Sequence, residues 1–299
     1  SSAWIYTLGV DLGGLMIPLV NAMGITKRYG DFTALHEVTF TVEPGSILGL
    51  IGPNGAGKTT TLKSLLGLTG FEGELEVSGR DPRKNRHRVM DQVCFVADVG
   101  VMPRWLKVSD AEAYVAAVHP RFNRERFRLL IKSTGVLPHQ RVRQLSKGMV
   151  TQLHLALVLA IEVDLLVLDE PTLGLDIIYR KAFYERLQND YHDKKKSIII
   201  STHQVEEIES LLTHLIFLDK GRIILDCAMD EVSEIFAEVI VPPENWLQAE
   251  RFNPINSRGV RGQKVMTFEN VPRKELAHLG EVKTPNVADL FVSKVKEDL

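Results

Sequence analysis

Hydrophobic and polar positions change their period several times along these 299 residues. Apolar runs of strand length come first, at residues 17–23, 38–42 and 47–51, punctuated by Gly30 and by Pro44-Gly45. Such runs bounded by turn residues predict strands. A helix is predicted to follow Gly57 and to stop near Gly67, and residues 74–77 and 93–96 read as further strands. Between those two lies a loop with Arg80, Arg83, Lys84, Arg86 and Arg88. It is read as a solvated connection, because no aromatic side chain is interleaved with its charges. From Ser109 to about Ile161 the period turns helical, with Ser109 and Asn123 as expected N-caps. Residues 165–168 and 197–201 are continuous apolar strands flanking a helical stretch at 178–191. That alternation predicts parallel neighbours in a sheet covered on both faces. A hairpin is expected over 215–225, turned at Lys220-Gly221. Beyond about Cys227 the chain becomes more polar and richer in proline, with apolar runs at 235–241 and 264–268 and helical spacing at 286–295.

Composition narrows this picture little. Hydrophobic residues make up 44% and charged residues 25%, an ordinary globular balance. With 36 basic against 38 acidic side chains the net charge is -2, so overall charge calls for neither nucleic acid nor an anionic membrane. Cys94 and Cys227 stand far apart and outside any Cys/His cluster, a pattern that suggests neither a disulfide framework nor a zinc site and suits a reducing compartment. A membrane-spanning helix needs roughly 18 apolar residues. The stretch 153–168 comes closest, but Glu162 and Asp164 interrupt it. Residues 1–15 lack the basic start of a signal peptide and read as a cloning-derived leader, with Met16 as the natural start and a native extension as the alternative.

The chemistry is concentrated at a few points. Gly52-Pro53-Asn54-Gly55-Ala56-Gly57-Lys58-Thr59, followed by Thr60, fits the phosphate-binding pattern GxxxxGK[ST] and lies between a predicted strand and a predicted helix. Glycines there let backbone amides turn toward a phosphate chain, and the helix that follows offers its positive end to the same charges. Lys58 is expected to hold the β- and γ-phosphates, and Thr59 to offer a hydroxyl to Mg²⁺. Asp169 and Glu170 end the strand at 165–168, at the sheet edge where ligands bind. Because side chains alternate along a strand, Asp169 is assigned to the Mg²⁺ shell and Glu170 to the attacking water.

Four further features make a family resemblance. Leu145-Ser146-Lys147-Gly148-Met149 looks like the signature sequence of ATP-binding-cassette (ABC) ATPases. Asp176 in Leu-Gly-Leu-Asp resembles the D-loop, His203 in Ser-Thr-His the switch histidine, and Tyr29 in Lys-Arg-Tyr-Gly the aromatic that stacks on adenine. Asp98 departs from the pattern, standing where most members carry glutamine, from where a shorter acidic side chain could still reach Mg²⁺ or a bound water. The resemblance spans roughly residues 17–225. The resemblance implies an α/β P-loop NTPase of the ABC type with a mixed β core, a helical subdomain at about 99–160 and a small C-terminal α+β appendix. The domains would be 16–226 for the ATPase and 227–299 for the appendix.

In the resembled family, Ser146 and Gly148 of one subunit close on ATP held by the P-loop of another, giving a head-to-tail dimer with itself or a paralogue. The resemblance thus implies an ATP-hydrolysing subunit at the cytoplasmic face of a membrane, powering a separate integral-membrane chain. Lys147 replaces the usual glycine and Met149 the usual glutamine, and with the appendix these suggest the export-type branch. Two alternatives stand beside this reading. A cassette ATPase acting on nucleic acid or ribosomes fits poorly with a single cassette and near-neutral charge. A nucleotide-gated module without turnover is opposed by Glu170.

Overall fold

The computed structural model describes residues 17–97, 102–132, 134–173, 175–190 and 196–297. The chain opens with a long hairpin, β1 (Val20–Tyr29) and β2 (Phe32–Val42). Its turn is tight enough that Tyr29 pairs with Phe32. β3 (Ile47–Ile51) is buried along most of its length and feeds α1 (Lys58–Leu65). β4 (Glu72–Val77) returns to pair with β1, giving an antiparallel sheet in the order β2-β1-β4. The first strands are therefore longer than the apolar runs suggested, because cross-strand bonds continue past the last apolar residue. Arg86 and Arg88, expected in a loop, belong to a short helix, α2 (Arg86–Met90), which buries Val89 ahead of β5 (Val93–Val96).

The helical stretch comprises α3 (Val108–Val118), α4 (Arg124–Lys132) and α5 (Lys147–Leu159). Asn123 caps α4 as expected, its side-chain oxygen accepting the Arg126 amide at 3.0 Å. Ser109 does not cap α3. The helix already begins at Val108, with Lys107 at the cap, and the Ser109 hydroxyl meets Asp110 instead. β6 (Leu165–Asp169) is buried at every residue and is followed by α6 (Ile177–Asp190) and β7 (Ser197–Thr202). β8 (His214–Asp219) and β9 (Arg222–Ala228) form the expected hairpin, with Lys220 and Gly221 both at positive φ as a two-residue turn of this hand requires. Among the described residues these strands build a six-stranded sheet, β5-β6-β7-β3-β8-β9. Its neighbours run parallel except β8 with β9.

Cys227 lies within β9, directly before the remaining elements. These are α7 (Val232–Ile235), β10 (Phe236–Val241), α8 (Trp246–Glu250), β11 (Asn256–Val260), β12 (Gln263–Glu269), α9 (Arg273–Leu276), β13 (Glu281–Lys283) and α10 (Val287–Glu297). Their antiparallel sheet, β11-β12-β10-β13, closes over a small core of Val239, Met266, Phe268 and Leu276. Two larger cores sandwich the six-stranded sheet. One joins it to α1 and the β1-β2-β4 sheet through Leu48, Leu62 and Val167. The other joins it to α5 and α6, and it includes Val287 and Leu290 of α10. Among the described residues no helix is long and apolar enough to cross a membrane.

Candidate active site

At the C-terminal edge of the six-stranded sheet, β3 gives way to the glycine-rich loop. Gly57 occupies the cap of α1 at φ +107°, and a Cβ there would lie 2.9 Å from the Ala34 carbonyl oxygen. Only glycine meets both constraints. The loop is tied from behind, because Gly221 donates its amide to Ala56 O at 2.9 Å. Ala56 is consequently buried, and Gly52 has the Leu218 carbonyl 2.2 Å from where a Cβ would stand. No side chain caps α1, so its leading amides remain available to an oxyanion.

Lys58 is only 6% exposed. Its ammonium donates to Gly52 O at 2.7 Å and to Pro53 O at 3.2 Å, and it stands 3.2 Å from Glu170 Oε1. The other carboxylate oxygen of Glu170 lies 2.9 Å from His203 Nδ1. Glu170 reaches both because it is the first residue beyond β6 and takes a left-handed backbone, φ +47°. That conformation turns its side chain away from the neighbouring Asp169. Asp169 is buried and accepts a hydrogen bond from the Ser201 hydroxyl of β7. The register between β6 and β7 sets Asp169 opposite Ser201, so this partnership follows from the sheet itself. The two adjacent carboxylates thus have separate surroundings, one buried against a hydroxyl and one shared between a lysine and a histidine.

A cleft of about 300 Å³ opens above Lys58. Pro53, Asn54, Gly55, Gly57, Lys58, Thr59, Thr60 and Glu170 line it from the sheet side, and Tyr29, Phe32 and Ala34 from the first hairpin. Tyr29 and Phe32 are 50% and 64% exposed, and Lys27 Nζ stands 4.7 Å above the Tyr29 ring. A flat aromatic ring beside a phosphate-binding loop suits a nucleoside base.

The remaining expected residues lie elsewhere. Ser146 caps α5, its hydroxyl accepting the Met149 amide at 3.2 Å, and Gly148 is buried beneath the ring of Tyr179. Asp176 caps α6 by accepting the amides of Ile178 and Tyr179 at 3.1 and 3.2 Å. None of these three lines the cleft. Asp98 lies outside the described residues. Sequence reasoning missed Ser201, although it adjoins Thr202 and His203, and missed Phe32, whose only signal was an aromatic two residues past Gly30.

A family model described as ABC transporter matches residues 35–173. The chain is also 33% identical, over 283 residues, to the Nod factor export ATP-binding protein I of Cupriavidus metallidurans, covering 88% of this chain and 90% of that one. The chain belongs to the ABC transporter ATP-binding proteins. Another relative is the probable metal transport system ATP-binding protein of Thermotoga maritima, 32% identical over 62% of this chain and 75% of that protein. The fold is shared with a solved structure described as an ATP binding subunit of an ABC transporter. There the TM-score is 0.63, with 24% identity, covering 72% of this chain and 92% of that one. As a member, this ABC protein is an ATPase and the ATP-binding subunit of a transporter. The nucleic-acid alternative finds no support in these relatives.

Proposed function

We propose that this ABC subunit splits ATP between two copies of itself, or between itself and a paralogue, and drives a separate membrane-embedded chain from the cytoplasmic face. The observation that carries the reading is the division of its parts. Lys58 and Glu170 line the cleft and Glu170 is joined to His203, whereas Ser146, Gly148 and Asp176 are bound into the starts of α5 and α6. A single chain then supplies half of each site, and a head-to-tail arrangement with two-fold symmetry supplies the rest. Leu173, Ile177 and Ile178 surround Asp176 and are 64%, 74% and 74% exposed, an apolar rim suited to burial against a second copy.

In this reading adenine stacks on Tyr29, and the loop from Gly52 to Thr60 holds the phosphates. Lys58 exchanges its contacts with Gly52, Pro53 and Glu170 for phosphate oxygens. Glu170 orients a water and accepts its proton as the water oxygen bonds to the γ-phosphorus. The bond from that phosphorus to the β-γ bridging oxygen breaks, leaving ADP and inorganic phosphate. His203 donates to the γ-phosphate. The buried carboxylate of Asp169 and the hydroxyl of Thr59 in the cleft are hard oxygen donors of the kind Mg²⁺ takes when phosphates and waters complete its shell, so these two residues fit as its holders, joined by Asp98 from sequence alone. When bound, Mg²⁺ would neutralise charge developing on the phosphates.

We further propose that residues 16–226 act as the ATPase unit and 227–299 as an accessory unit bracing the pair. The export direction is supported by the similarity to the Nod factor export protein along nearly the whole chain. The solution mass of Glu170→Gln, measured by size exclusion with light scattering, tests the pairing. Doubling only with Mg·ATP is expected. A mass that stays at 33.5 kDa at micromolar protein and saturating nucleotide overturns ATP-driven self-association.

A further inference from the structure

Arg180 sits on the first turn of α6, four residues past Asp176. Its guanidinium makes contacts in two directions. Nε donates to the Leu175 carbonyl at 2.8 Å, the peptide immediately before Asp176. One terminal nitrogen donates to the Gln204 side-chain oxygen and stands 2.9 Å from Glu207 Oε1. Gln204 directly follows His203, and Glu207 lies one short turn further on. Both Arg180 and Glu207 are about three-quarters buried, so this pair is far less screened than an exposed ion pair. The second oxygen of Glu207 is buried with no hydrogen-bond partner, which leaves the guanidinium as the group that compensates this carboxylate.

We propose that Arg180 is a positioning residue for ATP hydrolysis, clamping the turn that carries Asp176 to the segment that carries His203. The inference rests on the roles given above to Asp176 and His203. Its physical basis is the planar fork, which fixes two chain segments with one side chain. His203 reaches Glu170 from the very end of β7, where no further ladder bond restrains it. Beyond His203 the chain is held by the Gln204 amide, which donates to the Thr202 hydroxyl at 2.9 Å, by Val205 and Ile208 in the core, and by the Arg180 contacts, the hydrogen bonds among these that reach α6. Arg180 also sits beside Tyr179, whose ring covers Gly148, so the start of α6 touches the helix that begins at Ser146 as well. A displacement at the partner-facing Asp176 would thereby be felt at His203.

The test uses the full chain with ATP and Mg²⁺. In Arg180→Met the kcat for hydrolysis is expected to fall about tenfold, the scale of losing charge-assisted hydrogen bonds, with KM for ATP within about twofold. Arg180→Lys keeps the charge without the fork and should recover only part of the rate. Glu207→Gln should reproduce the loss, and the double variant should be little worse than either single one. The imidazole nitrogen shifts of His203, assigned by comparison with His203→Ala, should move in Arg180→Met and stay in place in the exposed-site control Lys181→Met. Unmoved His203 shifts with unchanged kcat overturn the clamp, as does additive loss in the double variant. If Arg180→Met does not fold, Glu207→Gln carries the same two readouts. Full hydrolysis in His203→Ala would instead defeat the catalytic reading of His203, an outcome that leaves the imidazole shifts free to report on the clamp.

Discussion

Glu170 holds a backbone conformation that non-glycine residues seldom adopt, and it does so one residue past a fully buried strand. Strain of this kind persists only where surrounding bonds over-determine it. Here the Glu170 amide donates to Ser201 O at 3.1 Å while the carboxylate is held by Lys58 and His203. Glu170→Gln keeps the shape and removes the base. Steady-state phosphate release should fall by roughly 10²- to 10⁴-fold, with ATP affinity by fluorescence titration nearly unchanged. Gly148 makes a different prediction. A Cβ there would lie 1.8 Å from Cε1 of Tyr179, so Gly148→Ala must displace that ring. Lower thermal stability and loss of ATP-dependent pairing are expected together, measured by calorimetry and light scattering. At this scale the sequence singled out Lys58, Glu170 and His203, which the sheet brings into contact, because each sits at a fixed offset from a strand end. It could not name Ser201 or Arg180 as their partners. Those contacts depend on the register of β6 with β7 and on how α6 lies across the sheet.

Among elements, α5 is the clearest case of a start written in the sequence. Ser146 precedes an apolar run, and its hydroxyl accepts the Met149 amide. Ser146→Ala should cost about 1 kcal/mol of unfolding free energy in denaturant melts, the usual value of such a cap. The β8-β9 hairpin was equally legible, since Lys220-Gly221 is a turn with a mechanism. The start of α3 was not legible, because Val108 is drawn into the helix by burial rather than by any capping side chain. In the accessory sheet, burial raises the pKa of Glu238 on β10, and Arg258 opposes the shift. A carboxyl that holds its proton more tightly when folded contributes stability at low pH. That contribution is lost as pH rises from the ordinary glutamate range through the raised folded value. Chemical denaturation of Glu238→Gln across that window should show a flatter pH dependence than the parent.

Taken whole, the molecule is less divisible than its composition suggested. The change in character near Cys227 coincides with a change of sheet, yet α10 returns to the core of the six-stranded sheet. The Val287 amide donates to Glu209 Oε1 at 3.2 Å, and the ring of Phe291 meets Phe217 of β8 edge-on at 5.1 Å. Leu290 is fully buried in the same core as Ile208 and Phe217. Leu290→Ala should therefore destabilise the chain by about 2–5 kcal/mol, read as a single earlier transition rather than selective melting of the accessory unit. Two independent transitions would show that the accessory unit folds separately. Periodicity alone predicted α10 as a helix but could not say which surface it covers.

That return has a consequence for how the chain comes to be folded. Val287 lies 78 residues after Glu209, so the apolar flank of β8 is completed by a segment synthesised well after the strand itself. During that interval Phe217 and Ile208 lack part of their final cover, and a nascent ATPase core presents a greasy patch to other chains. Closing so long a loop slows the last step more than it weakens the product. Chaperone demand and aggregation during expression should therefore track substitutions in α10 more closely than substitutions of equal burial in α1.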